Sequence, residues 1–258
     1  LIFNHQTGSW NDDAWLDEEQ KASEDAFACT ELRTSISQDE YLRTVEKIQE
    51  HIHAGDTYQV NYTLHFKFSL HGSQAALYRA LRRNQSVCYS AWIRHDGRDI
   101  LSFSPELFFR TDANTVRVQP MKGTLCRGRT NAEDEKRRQQ LHTDPKNRSE
   151  NIMIVDLLRN DLGRLLHGNG GGAVMPRSLF EVEVYESLLQ MTSAVDGIPT
   201  STTPSFSQIV AALFPCGSVT GAPKIKTMEI IHELEPEPRG AYGGALGYIS
   251  YAGNLDLA

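Results

Sequence analysis

Apolar positions along this chain fall into short alternating runs broken by a few helical stripes. Alternation is strictest from Tyr58 to Leu70. Tyr58, Val60, Tyr62, Leu64, Phe66, Phe68 and Leu70 take one side, and Gln59, Asn61, Thr63, His65, Lys67 and Ser69 the other. A period of two places each set on one face of a strand. Shorter runs predict strands near 87–94, 100–103, 106–110, 115–119, 179–185, 188–195 and 245–251. Helical spacing occurs at Tyr41, Leu42, Val45, Ile48 and Ile52, after the capping-box pair Ser37 and Glu40 and before a stop at Gly55. Helices are also predicted over 73–84, 131–140, 149–166 and 205–214, and from Pro223 to a point before Pro236. In the 149–166 helix Ile152, Val155, Leu158, Leu162 and Leu165 form one apolar stripe. Gly168 to Gly172 reads as a turn.

Runs of strands between isolated helices predict an α+β fold of two packed, largely antiparallel β-sheets with helices on the outside. Residues 1–36 resist assignment and are read as a remnant of an N-terminal region, with 37–258 as the main domain. Both ends read as cut. Residue 1 is Leu, and the chain closes with a strand, a turn at Ala252-Gly253-Asn254 and a second strand beginning at Leu255. A hairpin stopped there leaves its last strand unpaired.

With 258 residues, 40% hydrophobic and 23% charged, the composition is that of a soluble globular protein. No run of 18 apolar residues is present, so no membrane span is expected. Leu1 to Trp15 lacks the basic start and apolar core of a secretory signal. A net charge of −7 argues against a nucleic-acid partner, whose phosphates need a basic face. It is compatible with a local site for a small anion. Cys29, Cys88, Cys126 and Cys216 are scattered, with no C-x-x-C pair. The expectation is reduced cysteines in a cytoplasmic protein, without zinc or disulfides.

Four places carry candidate chemistry, and each has a plain alternative. Lys122, in Pro120-Met121-Lys122-Gly123-Thr124, ends a strand in a turn closed by glycine and can point into a cavity. A lysine is a poor nucleophile at its ordinary pKa of about 10.4, and a site activates one by desolvation or a nearby cation. Spacing alone favours a solvated turn lysine. Glu106 sits among Phe103, Leu107, Phe108 and Phe109. Burial there would suit a general acid, while an outward-facing strand residue fits the spacing as well. Glu150, near the start of the 149–166 helix, is a hard oxygen ligand of the type Mg²⁺ takes, or an ordinary first-turn glutamate. The loop from Gly217 to Lys224 precedes a helix. Its glycines, free N–H groups, Ser218, Thr220 and Lys224 could receive a dicarboxylate or phosphate, or it is a cap without ligand. It is not a P-loop. His51 and His53 share no helix face.

Taken in order, five segments resemble the chorismate-utilising enzymes, a family that includes anthranilate, isochorismate and salicylate synthases. They are Gln59-Val60-Asn61, Ser104-Pro105-Glu106, Pro120 to Thr124, Glu150 to Leu162, and Gly217 to Lys224. The resemblance runs from about 37 to 258 and makes that stretch the chorismate-binding catalytic domain, incomplete at its C-terminus. Lys122 resembles the aminodeoxychorismate synthase branch, since anthranilate synthases usually carry Ala there. Gln59 aligns with the water-activating lysine of isochorismate and salicylate synthases and cannot act as a base, which favours ammonia over water.

The resemblance implies conversion of chorismate, with ammonia from a glutamine amidotransferase partner, to 4-amino-4-deoxychorismate for 4-aminobenzoate and folate synthesis. It implies Lys122 as nucleophile and Glu106 as general acid. Mg²⁺ would be held partly by Glu150. Gly123, Thr124, Ser218, Thr220, Gly221 and Tyr248 would contact substrate. Gln190 stands where the family often has His and receives no role. The alternatives are an anthranilate synthase component and a non-catalytic binding fragment.

Overall fold

The structure, a computed structural model, describes residues 3–4, 9–10, 26–85, 87–112, 114–251 and 253–258. Most of the expected 1–36 remnant lies outside these residues, as does Ala252 of the last turn.

The elements begin with β1 (Phe3–Asn4), β2 (Ser9–Trp10), β3 (Phe27–Thr34), α1 (Gln38–Ala54), β4 (Gln59–Val60), β5 (Phe66–Gly72) and α2 (Gln74–Asn84). Next come β6 (Tyr89–His95), β7 (Arg98–Ser104), β8 (Leu107–Asp112), β9 (Thr115–Gln119), β10 (Met121–Cys126), α3 (Asn131–Thr143) and α4 (Pro145–His167). Last are β11 (Gly172–Val184), β12 (Leu188–Pro199), α5 (Phe206–Leu213), β13 (Gly221–Ala222), α6 (Lys224–Leu234), β14 (Gly247–Ile249) and β15 (Leu255–Leu257).

Contacts gather the chain into two units, Leu1–Ser37 with Leu64–Phe103, and Gln38–Thr63 with Ser104–Ala258. This division differs from the expected cut after residue 36. β3 pairs antiparallel with β5, from Phe27↔Gly72 to Thr34↔Phe66, so the stretch before α1 folds with 64–103. In that first unit Tyr78 of α2 stacks on Phe103 at 5.2 Å and Trp92 at 5.8 Å.

The second unit holds a seven-stranded sheet in the order β10-β12-β9-β8-β15-β14, with β11 added on β12. All its pairings are antiparallel, as the alternation of short strands and isolated helices predicts for this α+β chain. α4 lies on the sheet. Ile154, Leu158 and Leu162, three positions at helical spacing, join Phe109, Val116 and Val195 from the strands in one buried core. Each such side chain stabilises the fold by about 1.5–3 kcal/mol through burial. Ile152 of the predicted stripe falls outside it and is exposed.

Four local expectations need correction. The alternating run 58–70 is two short strands, not one. β4 pairs with β13 and β5 with β3, and residues 61–65 cross between them on other bonds. Asn61 N–H donates to Thr220 O at 2.8 Å, Thr63 N–H to Glu235 at 2.9 Å, and His65 N–H to Ser35 Oγ at 3.0 Å. Second, α4 starts at Pro145 rather than 149. Asp144 caps it by accepting from Asn147 N–H, and Pro145 fits the first turn. Glu150 is therefore in the second turn. Third, Pro223 is the N-cap of α6, not its first residue. Fourth, β15 is no loose edge, because it pairs with β14 on one side and β8 on the other.

Candidate active site

Lys122 is inside a strand rather than in a turn. β10 pairs with β12 at Met121↔Thr192 and again at Thr124↔Gln190, so three steps on β10 face two on β12. The extra residue makes a bulge, a device that re-aims a side chain. Gly123 takes φ +98° there, and an added Cβ would lie 3.1 Å from the Asn147 side chain of α4. Glycine thus permits both the backbone conformation and the close approach of the helix. The re-aimed Lys122 amine donates to Ser218 O at 3.2 Å.

Glu106 occupies the bend between β7 and β8. Ser104 holds the bend, since its Oγ accepts from Glu106 N–H at 3.3 Å and donates to Glu106 O at 3.1 Å. The following Leu107, Phe108 and Phe109 are buried, which draws the carboxyl inward. Glu106 Oε1 accepts from Met121 N–H at 3.2 Å. The residue keeps some surface exposure, but protein crowds its carboxyl. Burial raises the carboxyl above its ordinary pKa, against the opposing pull of the Ser218 hydroxyl, the Met121 N–H and the Lys122 charge.

Ser218 therefore meets both groups, its carbonyl facing Lys122 and its hydroxyl facing Glu106. The loop that carries it is fixed from several sides. Thr220 Oγ1 donates to Cys216 O at 2.9 Å. Asn61 Nδ2 donates to Val219 O at 3.1 Å, and β13 pairs with β4 at Gly221↔Val60 and Ala222↔Gln59. A Cβ on Gly221, at φ +143°, would come within 2.0 Å of Gln59 O. Any side chain there would push the two segments apart. Lys224 does not face a ligand. Its amine donates to Asp161 of α4 at 2.6 Å and to Leu213 O at 3.0 Å, with both ionic side chains nearly buried. Removing one partner of such a pair costs about 3–5 kcal/mol.

An open hollow borders Glu106 and Ser218, lined also by Phe108, Phe214, Cys216 and Gly243. Cys216, which sequence reasoning passed over, shares a 3.1 Å hydrogen bond with the Ser218 hydroxyl. Burial, and then the Glu106 charge, push its thiol up to about 11, so it stays protonated at neutral pH.

The remaining predicted residues are dispersed around this cluster. Thr124 donates its hydroxyl to Gln190 Oε1 at 2.8 Å. Tyr248 stands on β14 with 58% exposure, two residues beyond Leu246, whose backbone pairs with Ala258 at the wall of the hollow. Glu150 is half-buried, with Lys146 3.9 Å away. Among the described residues no three His, Cys, Asp or Glu converge as a metal cage. The donor set fits Mg²⁺ in one respect: Glu150 supplies a reachable hard oxygen, and Mg²⁺ is commonly held by one or two carboxylates with water and substrate completing the shell.

The family profile of chorismate binding enzymes matches residues 4–258. The chain belongs to that family. It is 38% identical over 247 residues to aminodeoxychorismate synthase component 1 of Klebsiella aerogenes, covering 94% of this chain and 53% of that protein. It is 36% identical over 234 residues to anthranilate synthase component 1 of Geobacillus stearothermophilus, covering 91% and 45%. Its fold superposes on the crystal structure of anthranilate synthase component I from Streptococcus pneumoniae TIGR4 with a TM-score of 0.82 at 27% identity, covering 99% and 61% of the two chains. The chain spans about half the length of the curated relatives it matches. Among the described residues no helix is long and apolar enough to cross a membrane.

Proposed function

We propose that this chain is the chorismate-binding part of an aminodeoxychorismate synthase component. In this reading it converts chorismate and ammonia to 4-amino-4-deoxychorismate. The observation that carries it is the meeting of Lys122, Glu106 and Ser218. A bulge aims the amine at the same serine that contacts a buried, protonation-prone carboxyl. The aminodeoxychorismate synthases among the relatives support the same branch. Anthranilate synthases are nearly as similar, and Lys122 is the residue that argues against that second reading.

The residues divide the reaction as follows. Once it has lost a proton to solvent, the Lys122 amine attacks C2 of the ring. The double bonds shift, and the C4–O bond breaks. Glu106 gives its proton to the departing hydroxyl, which leaves as water. Ammonia then attacks C4, the double bonds shift back, and the bond from C2 to Lys122 breaks to free the neutral amine. The new C4 ammonium returns one proton to the Glu106 carboxylate. Ser218 keeps the two groups in register throughout, its carbonyl on the amine and its hydroxyl on the carboxyl. Glu150 would be one ligand of Mg²⁺, which, when bound, withdraws electron density from the ring through its carboxylate. The ammonia source would be a glutamine amidotransferase partner in the cytoplasm.

The test uses the full-length protein that carries this chain, with chorismate, Mg²⁺ and ammonium at alkaline pH, and no partner. The expected product is 4-amino-4-deoxychorismate, with activity lost in excess chelator and severely reduced by Glu150→Gln. Isochorismate or salicylate as the only product would overturn the inference from Gln59. Undiminished turnover in chelator would overturn the metal assignment.

A further inference from the structure

Arg239 makes four hydrogen bonds behind the site, and none of the five segments above contains it. Its Nε donates to Glu235 at 2.9 Å and one terminal nitrogen to Glu235 at 2.7 Å, a two-pronged pair between nearly buried side chains. The same terminal nitrogen reaches Asn61 O at 2.7 Å, and the other reaches Val219 O at 2.5 Å. Glu235 also accepts from the Thr63 N–H and hydroxyl, at 2.9 and 3.0 Å. One guanidinium therefore ties together the segment after β4, the loop before α6 and the turn leading to Gly243 at the hollow. Val219, which it holds, directly follows Ser218.

We propose that Arg239, oriented by Glu235, is a positioning residue that sets Ser218 against Lys122 and Glu106. The inference rests on the roles given above to Lys122 and Glu106. The arrangement uses four of the five donors that a planar guanidinium holds in fixed directions, and lysine cannot reproduce it. Loss of the clamp leaves the Val219 carbonyl with the longer Asn61 bond alone, and the neighbouring Ser218 carbonyl and hydroxyl are held less closely. Misplacement by about 1 Å of groups that must be aligned costs roughly 100-fold in rate. Displacing the Ser218 hydroxyl also removes a bond that holds the Glu106 pKa down. The titratable groups facing Glu106 are Lys122 from β10 and the Cys216 thiol from the loop, and neither is altered by the substitution.

The experiment compares Arg239→Ala and Arg239→Lys in the full-length protein, at fixed free ammonia, for kcat, KM, melting temperature and the pH profile of kcat. Arg239→Ala is expected to lower kcat about 100-fold with little change in KM for chorismate. Its alkaline limb should move to higher pH, because Glu106 holds its proton longer. Arg239→Lys should recover only part of kcat. If Arg239→Ala does not fold, Arg239→Lys decides on the same two readouts. A folded variant with wild-type kcat and pH profile, whatever its melting temperature, overturns the inference. Lys122→Ala measured alongside separates the failures. An active Lys122→Ala enzyme sinks the roles of the site residues, and an inactive one beside a wild-type Arg239→Lys sinks the clamp alone.

Discussion

Lys122→Ala in the full-length protein is expected to reduce formation of 4-amino-4-deoxychorismate by about 1,000-fold or more, equivalent to roughly 4 kcal/mol of barrier. Chorismate binding should persist, because the substitution removes one amine and leaves the Gly217–Lys224 loop, Thr124 and Glu150 in place. The expectation follows from the bulge in β10, which spends an extra residue to turn this side chain toward Ser218. Addition of ammonia at C4 by two allylic displacements needs a temporary occupant of C2, and alanine supplies none. A slow side reaction should survive, in which ammonia adds at C2 and an anthranilate-type product forms. Product analysis by mass spectrometry checks both parts. Wild-type production of the C4 amine by Lys122→Ala would remove the ground for preferring this branch over anthranilate synthase.

Glu106→Gln should lower kcat by about 100- to 10,000-fold, the span that a positioned general acid contributes. Glutamine keeps the shape and can still accept from the Met121 N–H, so structure and substrate affinity should change little. The pH dependence carries a sign. A general acid works while protonated, so activity holds below its pKa and is lost as pH rises through it. Burial raises the Glu106 pKa, which moves that alkaline limb above the ordinary carboxylate range. At fixed free ammonia the wild-type profile should show the limb and the Glu106→Gln profile should lack it. An unchanged limb in the variant would assign the proton to another group.

Much of this site was legible in the chain because its chemistry is concentrated in short segments. Spacing alone favoured or allowed plain readings of Lys122 and Glu106; the resemblance of their short segments and of the Ser218 loop to one family singled them out, and the fold brings all three together. What joins them was not legible. Asn61 meets Val219, and Lys224 meets Asp161, across 158 and 63 residues of chain. No local spacing reports such pairings. Lys224 looked available to a ligand because its buried partner lies on another element. Arg239, flanked by Pro238 and Gly240, has the surroundings of a surface turn, and only the three segments around it disclose its work. The run 58–70 misled for a different reason. Alternation reports which side chains share a face, and it carries no information about a change of partner strand partway along.

The central claim is that Lys122 forms a bond to the substrate, and capture of that bond tests it most directly. Full-length protein is mixed with chorismate and Mg²⁺ in the absence of ammonia, quenched and digested, and its peptides are weighed. A mass increase corresponding to chorismate less water is predicted on the peptide that contains Lys122, absent from the Lys122→Ala protein and discharged when ammonium is added before the quench. An unmodified Lys122 peptide from protein that makes 4-amino-4-deoxychorismate at full rate, or an adduct that ammonium does not discharge, would contradict it.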